Sequence, residues 1–253
     1  MRSFFAALAF LTIVPVRLRQ PFSQKELARS RYWYPVVGLL FGVFLGGWAA
    51  LMVRIGGPPL AAFLVLVAWV VLTGALHVDG FCDLCDGLFG GRTVEERLRI
   101  MKDPRVGTFG LVGAILLLLG KWVLLSETLA QSLDDGPWVV GTAAGVARCL
   151  VLVMAGTGPY ARPEGTGKTL IEATTARQAG AFALVGWMGP VVMLFRVGVL
   201  AAVVPYLASL LVVLALARLC LRRLGGITGD CLGAAIEVAE LVFLLAAVLV
   251  GSG

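Results

Sequence analysis

The sequence predicts an all-α protein, a polytopic integral membrane bundle of about seven transmembrane helices with an N-terminal interfacial or re-entrant helix. Three observations lead to this prediction. Hydrophobic residues make up 59% of the 253 residues and charged residues only 14%, whereas soluble domains usually carry about 25% charged residues. The mean hydropathy is +0.94. Apolar runs of the roughly 17–25 residues needed to cross a bilayer recur along the whole chain, so we expect one integral membrane domain over 1–253.

The opening stretch MRSFFAALAFLTIVPVRLR has the charged start and apolar core of a signal peptide. Its only A-x-A motif, Ala7 to Ala9, lies inside that core rather than after it, so we do not expect cleavage. A core of about 14 residues is too short to cross the bilayer comfortably, which predicts the interfacial or re-entrant helix. The predicted spans that follow are 33–53, 58–76, 109–125, 137–157, 179–195, 197–217 and 231–250.

Lys and Arg are distributed unevenly between the two sides of the membrane. Seventeen of the 21 lie in four segments: 1–32, 77–108, 158–178 and 218–229. The other side holds only Arg54 and Arg196, while Lys121 and Arg148 fall inside spans. Because cytoplasmic loops are enriched in Lys and Arg, we expect the four basic segments in the cytoplasm. No run rich in Lys and Arg occurs, so the net charge of +6 does not predict nucleic acid binding.

The stretch HVDGFCDLCDGLFGG, residues 77–91, crowds three aspartates directly after an apolar run. If 79–88 is helical, a turn of ~100° per residue places Asp79, Asp83 and Asp86 within about 60° of arc. Such carboxylates repel one another unless a cation lies among them, and the stretch contains no Lys or Arg. Oxygen ligands favour Mg²⁺, with Mn²⁺ as an alternative. We therefore expect the three aspartates to bind a metal ion; a solvated acidic face is the other interpretation.

The same stretch contains Cys82, Cys85 and the chain's only histidine, His77. The two cysteines could form a redox pair or half of a zinc site. No second CxxC or histidine pair completes a tetrahedral site, so we expect unpaired thiols in a reducing compartment. For His77, a hydrogen-bonded structural role and a role as a ligand are both open.

Two further basic segments combine cations with glycines: RLRIMKDPRVGTFG (97–110) and PYARPEGTGKTL (159–170). Basic side chains of this kind recognise phosphate, although cations that snorkel from an interfacial loop are the alternative. The GTGKT sequence lacks the first glycine of a Walker motif and no strand precedes it, which excludes that site. The candidate substrate-binding residues here are Lys102, Arg105, Tyr160, Arg162 and Lys168. A last stretch, GGITGDCLGAAIEVAEL (225–241), opens a span with Asp230 and places Glu237 and Glu240 inside it.

These motifs occur in the order of a known family. HVDGFCDLCDG, IMKDPRVGTFG, PYARPEGTGK and GGITGDCLGAAIEVAE resemble the cobalamin synthase family (adenosylcobinamide-GDP ribazoletransferases), and FLTIVPV (10–16) and RYWYPVVGLLFG (31–42) match its N-terminal pattern. Asp83 to Gly87 also resembles the opening of the CDP-alcohol phosphotransferase signature, D-x2-D-G-x2-A-R followed by G-x3-D-x3-D. Arg92 stands later than the arginine of that signature, and the second half does not follow in order, so the fourth carboxylate stays unassigned.

The resemblance implies a transferase in the plasma (inner) membrane of a prokaryote, with its active site facing the cytoplasm. It would join adenosylcobinamide-GDP and α-ribazole, or its 5′-phosphate, to give adenosylcobalamin or its 5′-phosphate. GMP would leave, and Mg²⁺ would be required. This is the last assembly step of the nucleotide loop of vitamin B12. The related phosphotransferases are compatible with a homodimer.

This chemistry assigns a role to each candidate. Metal ions held by the three aspartates of the acidic stretch would stabilise the charge that builds on the diphosphate. Asp103 or Asp230 could accept the proton of a ribose hydroxyl. The candidate catalytic residues are Asp83, Asp86, Asp103 and Asp230. The remaining candidates for substrate binding are His77, Arg92 and Glu237.

Two other functions remain as alternatives. A secondary transporter would use intramembrane carboxylates as a proton relay, for which only Glu237 and Glu240 are suitable. A membrane thiol oxidoreductase would use Cys82 and Cys85, but the predicted topology puts that pair on the reducing side. Most of the acids lie in the predicted cytoplasmic segments, which favours the transferase.

Overall fold

The computed structural model of the protein describes residues 1–16 and 20–251. Arg17 and Arg19, two of the basic residues counted in 1–32, lie outside the described residues. Within the described ranges every regular element is helical, and the β structure there is one isolated bridge, Tyr160 to Ile227. The predicted all-α class is therefore confirmed.

The helices follow one another with short connections. In order they are α1 (Arg2–Leu11), α2 (Gln24–Ser30), α3 (Tyr34–Leu72), α4 (Leu76–Gly90), α5 (Val94–Ile100), α6 (Thr108–Gln131), α7 (Gly136–Ala155), α8 (Lys168–Ala173), α9 (Ala176–Gly186), α10 (Met188–Val197), α11 (Val199–Leu224) and α12 (Gly229–Gly251), with a 3₁₀ turn at Arg31–Trp33. Six segments of the described chain are long and apolar enough to cross a membrane. The ten residues of α1 are too few to do so, as predicted for the N-terminal helix.

The first of the six segments is a hairpin rather than one long rod. α3 is broken at Gly57, whose φ of 73° is favourable only for glycine, and Pro58 and Pro59 follow. The indole N–H of Trp48 donates to the carbonyl of Leu64 over 3.3 Å. In a straight helix, 16 residues would separate these two groups by about 24 Å. The two halves of α3 therefore lie side by side, in the places of the first two predicted spans.

The second predicted span, 58–76, extends too far. The helix ends at Leu72, and the chain turns through Gly74 and Ala75, which have φ of 60° and 57°. The connection predicted at 77–108 then begins as α4, which packs between α6 and α12. The acidic stretch is therefore part of the bundle rather than an open loop.

α3 and α7 form the most extensive helix pair of the described chain. A Cβ on Gly46 would lie 2.8 Å from the carbonyl oxygen of Pro137, and one on Gly141 would lie 2.6 Å from that of Gly42. Only glycine allows the two backbones to approach so closely. Small residues at helix contacts are typical of membrane bundles, where association depends on close packing.

The four basic segments meet at one end of the bundle. Gln178 donates to the hydroxyl of Tyr32 over 2.8 Å, and Arg97 donates to the carbonyl of Arg223 over 3.0 Å. At the opposite end, Arg54 lies 3.6 Å from Asp134 and Arg196 lies 3.8 Å from Asp135. We call these the basic end and the far end. The structure thus groups the connections as the Lys and Arg distribution predicts.

Candidate active site

The acidic stretch reaches the basic end along α4. His77, in its first turn, is buried, whereas Asp79 is exposed, Asp83 is half-buried and Asp86 is buried again. This alternation of buried and exposed side chains follows from the packing of α4 between α6 and α12. One stripe of the helix therefore presents acids to the surface of the basic end and, at Asp86, to the start of α6.

Asp86 connects α4 to IMKDPRVGTFG, the second of the four family motifs in chain order. Its carboxylate accepts the backbone N–H groups of Gly107 over 2.7 Å and Gly110 over 2.8 Å. A Cβ on Gly110 would lie 2.5 Å from Oδ2 of Asp86, so the glycine is required for this approach. A negative charge at a helix N-terminus is also stabilised by the helix dipole. Each carboxylate oxygen keeps a second lone pair with which it could accept a ligand.

Asp79, Asp83 and Asp230 form an acidic cluster. Burial, followed by the charges of Asp230 and Asp79, raises the pKa of Asp83 to about 7, while the charge of Arg162 opposes the rise. Asp230 belongs to the first turn of α12. Such a shift indicates excess negative charge around a partly desolvated carboxyl group. Perturbed groups of this kind are concentrated at functional sites.

Arg162 is the cation that faces this cluster. Its Nη2 lies 2.7 Å from Oδ2 of Asp230, and the two side chains are 11% and 21% exposed. The same nitrogen donates to the carbonyl of Met101 over 3.3 Å. Its Nε is buried and has no hydrogen-bond partner. Arg162 thus joins the connection between α7 and α8 to the start of α12 and the end of α5.

A short backbone pairing fixes this arrangement. Ala161 N–H donates to the carbonyl of Ile227 over 3.0 Å, and Ile227 N–H donates to that of Pro159 over 2.9 Å. Tyr160 lies in this bridge, where burial raises its pKa and the charge of Arg162 opposes the rise. The third and fourth motifs, far apart in the sequence, are thereby held side by side.

Three of the predicted residues, Asp103, Arg105 and Lys168, make their contacts away from Asp83, Arg162 and Asp230. Arg105 is 86% exposed and binds Asp103 through Nη2 over 2.8 Å. Hydrogen bonds from Arg105 lower the pKa of Asp103 to about 2, which makes Asp103 a weaker proton acceptor than an ordinary carboxylate. Lys168 Nζ donates to the carbonyl of Pro163 over 2.7 Å.

Two further predicted residues lie on exposed connections of the basic end. Lys102 is exposed, in the turn that follows α5. Arg92 is also exposed, and its backbone N–H donates to the carboxylate of Glu96 over 2.8 Å. Neither position gives its side chain a contact that identifies a ligand.

Glu237 belongs to a separate ion network inside the bundle. Lys121 Nζ lies 2.5 Å from Glu237 Oε2 and also binds Glu240, which pairs in addition with Arg148. Trp69 donates its indole N–H to Glu240 over 3.1 Å. All of these side chains are buried. This position favours a structural role for Glu237 over the predicted contact with substrate.

The sequence places Lys121 and Arg148 inside spans but does not identify their partners. The sequence did indicate that partners exist, because two cations and two acids inside spans must pair with one another if they are to be buried in the bilayer. The charges of these two cations act on the buried imidazole of His77. Its Nε2 is buried without a hydrogen-bond partner.

The cysteines are thiols. All five are free, as predicted. Burial raises the pKa of Cys85 to about 11, and burial together with Asp79 raises that of Cys82. Both thiols are therefore protonated near neutral pH, which argues against thiolate chemistry at this pair.

The carboxylate oxygens of the acidic cluster are suitable ligands for a metal ion, but their present arrangement is not that of a metal site. In the part of the chain that the structure describes, no three His, Cys, Asp or Glu side chains converge closely enough to hold one. The acidic cluster nevertheless offers carboxylate oxygens, the ligands that Mg²⁺ prefers. The charges of Asp230 and Asp79 add to burial in raising the pKa of Asp83, and a cation would neutralise these charges. Ion binding would require these side chains to turn towards one another.

Comparisons with known proteins agree over nearly the whole chain. The family model described as cobalamin-5-phosphate synthase matches residues 3–248. Curated proteins named adenosylcobinamide-GDP ribazoletransferase are similar to the chain. The protein from Pseudomonas putida (strain W619) is 42% identical over 97% of this chain and 98% of its own length. That from Chlorobium phaeobacteroides (strain BS1) is 38% identical over 96% and 95%, and that from Klebsiella pneumoniae (strain 342) is 38% identical over 97% and 99%. No solved structure matches the chain.

Proposed function

This chain belongs to the cobalamin-5-phosphate synthase family, a family of transferases, and from that premise we propose that it joins adenosylcobinamide-GDP to α-ribazole or its 5′-phosphate. The product is adenosylcobalamin or its 5′-phosphate, and GMP is released. We further propose that the reaction requires Mg²⁺. One observation supports this function most directly: residues of four separate motifs meet at the basic end, where Arg162 contacts Asp230 and Met101 and its charge acts on Asp83.

The reaction is a displacement at phosphorus. A ribose hydroxyl oxygen forms a bond to the phosphorus on the cobinamide side of the diphosphate. The bond from that phosphorus to the bridging oxygen breaks, and GMP leaves with the electron pair. Negative charge therefore builds on the bridging and non-bridging oxygens, and catalysis depends on stabilising it and on aligning the reacting atoms.

The acids and the arginine divide this work. Asp79, Asp83 and Asp86 would hold Mg²⁺, which supplies electrostatic stabilisation of the diphosphate oxygens. Asp230, held in place by Arg162 over 2.7 Å, would accept the proton of the ribose hydroxyl. The Nε of Arg162, which is buried without a partner, would donate to a phosphate oxygen.

The intramembrane acids support the transferase over the transporter. Glu237 and Glu240 are both paired with buried cations, whereas a proton relay requires carboxylates that can exchange protons along a path. We assign the basic end, and with it the active site, to the cytoplasm of a prokaryotic cell because cytoplasmic connections are enriched in Lys and Arg. The enzyme would lie in the plasma (inner) membrane.

The decisive assay measures GMP release by the detergent-purified full chain. Adenosylcobinamide-GDP is supplied with α-ribazole in one arm and with its 5′-phosphate in another, each with Mg²⁺ or with EDTA. We expect GMP only when a ribazole substrate and Mg²⁺ are both present, and the two arms rank the substrates. Glu127→Gln, which replaces an exposed acid near the end of α6, is the matched control for the variants of the acidic cluster. Failure of the folded protein to release GMP would refute the transferase, and equal release in EDTA would refute the metal requirement.

A further inference from the structure

A groove on the outside of the bundle is not used by the proposed reaction. It has a volume of about 930 Å³ and runs between α3, α7, α9 and α10. It begins beside Pro35 and Val36 at the basic end and reaches Arg54 and Arg196 at the far end. At 1.5 Å per residue, the helix from Pro35 to Arg54 covers about 29 Å, close to the ~30 Å of hydrocarbon in a bilayer.

The floor of the groove is apolar and built from small residues. Gly47 is one of its lining residues, and a Cβ added there would meet nothing within 4 Å. Val43, which also lines it, is 67% exposed. Charged side chains line the groove only at its far end. Along the membrane normal, the groove therefore offers an apolar surface that ends in charged side chains. Such a surface suits a ligand with an apolar chain and a polar head.

The charges at the far end are of both signs and are available to a ligand. Arg54 and Asp134 are 3.6 Å apart and largely exposed, so their mutual attraction contributes little. The guanidinium of Arg196 lies 5.0 Å from the ring centre of Trp138. Aromatic side chains of this kind are enriched at the level of lipid headgroups.

We propose that this groove binds one phospholipid with an ethanolamine headgroup. An acyl chain lies along the glycine-lined floor, the phosphate is held by Arg54 and Arg196, and the ammonium group donates to Asp134. The mixed charge of the far end selects a zwitterionic headgroup over an anionic one. The N–H donors of an ethanolamine ammonium distinguish it from choline, which has none.

The test compares lipid retention between variants by native mass spectrometry. The full chain is purified in detergent, stripped of lipid, and exposed to equal amounts of dioleoyl phosphatidylethanolamine, phosphatidylcholine and phosphatidylglycerol. Gly47→Leu and Val43→Trp fill the groove. Gly180→Leu is the matched control, since a Cβ there also meets nothing within 4 Å and Gly180 does not line the groove. The double variant Arg54→Gln with Arg196→Gln removes the phosphate contacts.

We expect one phosphatidylethanolamine to stay bound to the wild type and to Gly180→Leu. Both groove-filling variants should lower this retention at least ~5-fold, and the double Arg variant should reduce selectivity among the three lipids to less than ~2-fold. Two groove-filling variants are used so that a folding failure in one, detected as aggregation on gel filtration, leaves the other as the test. Wild-type retention in a folded groove-filling variant would overturn the proposal. So would equal retention of the three lipids, or a dimer that both groove-filling variants dissociate, which would make the occupant a second copy of the chain.

Discussion

Arg162 and Asp230 form a partly buried ion pair, with Nη2 and Oδ2 2.7 Å apart, across two motifs that are distant in sequence. The pair leaves part of the guanidinium unused, since Nε has no partner. It also places a cation among acids where burial, and then mutual repulsion, raises the pKa of Asp83. The geometry around this pair separates candidates that the sequence alone treats alike.

Arg162→Lys should lower the efficiency with adenosylcobinamide-GDP at least ~10-fold, about 1.4 kcal/mol. Lys is a point charge and cannot reach Asp230, Met101 and a phosphate with one planar group. Arg105→Lys is the matched control, because Arg105 is 86% exposed and binds only within its own turn; its effect should stay within ~3-fold. Steady-state kcat/KM for GMP release at fixed Mg²⁺ decides this. Equal losses in the two variants would place Arg105 in the site as well.

Asp83→Asn and Asp86→Asn should both reduce GMP release by on the order of 10³-fold, as expected for the loss of a metal ligand. Their stabilities should differ. Asp86 accepts two backbone N–H groups, and an amide cannot replace both acceptors, so Asp86→Asn should cost about 1–3 kcal/mol. Asp83→Asn should not destabilise the protein. Thermal unfolding next to the activity assay distinguishes the two; near-normal turnover in either variant at saturating Mg²⁺ would remove that residue from the site.

The pH dependence of stability should reveal the acidic cluster. Burial raises the pKa of Asp83 to about 7 in the folded protein, against about 3.8 for an ordinary aspartate. Between about pH 4 and 7 the folded chain therefore binds more protons than the unfolded chain, and the free energy of unfolding falls as pH rises. In EDTA, the midpoint of thermal unfolding should drop from pH 5 to pH 7.5 in the wild type, and the drop should be smaller in Asp83→Asn. Mg²⁺ should raise the midpoint more at pH 7.5 than at pH 5. An identical pH slope in the two proteins would contradict this account.

Lys121→Met should destabilise the bundle by about 3–5 kcal/mol, because it leaves Glu237 charged and unpaired in an apolar interior. Adding Glu237→Gln to Lys121→Met should recover part of that loss, since the uncompensated charge is then gone. Glu172→Gln, which breaks an exposed pair with Lys168, should stay within about 0.5 kcal/mol. Thermal unfolding of the wild type, Lys121→Met, Glu237→Gln and the double variant forms a double-mutant cycle. If the effects of the two single substitutions simply add in the double variant, the two residues are not coupled.

Gly226→Ala should reduce GMP release at least ~10-fold. A Cβ at this position would lie 2.6 Å from the carbonyl oxygen of Pro159, so the backbone pairing of Tyr160 with Ile227 would have to open, and a misplacement of about 1 Å can cost on the order of 10²-fold in rate. Gly180→Ala, in open space on a helix, should leave the rate unchanged. The same GMP assay compares the two, with gel filtration to confirm folding. A fully active Gly226→Ala protein would show that the pairing does not position the site.

The fold was predictable where the bilayer fixes the length of apolar runs. The spans, the short N-terminal helix and the grouping of the connections all followed from hydropathy and from the Lys and Arg positions. The end of the second span did not. The turn depends on Ala75 with φ of 57°, and alanine carries no sequence signal for that conformation.

The site was predictable as a set of motifs and not as a set of contacts. Asp79, Asp83 and Asp86 lie on one stripe of α4 because helical geometry fixes their spacing. The use of Asp86 to cap α6, and the pairing of Arg162 with Asp230, depend on how separate helices pack, which local spacing does not encode. The same holds for Lys121 and Glu237. Their need for partners was evident from the sequence, but the identity of the partners was not.

The pairing of Ala161 with Ile227 also has a consequence for biogenesis. Between these residues the chain must pass through α9, α10 and α11, which include two of the segments long enough to cross the membrane. During synthesis, the acids of α4 and Arg162 therefore emerge well before Ile227, with which the segment around Arg162 pairs. The transferase site closes only after those segments have been threaded into the bilayer, so a ribosome-bound chain halted before Ile227 would be inserted and still inactive.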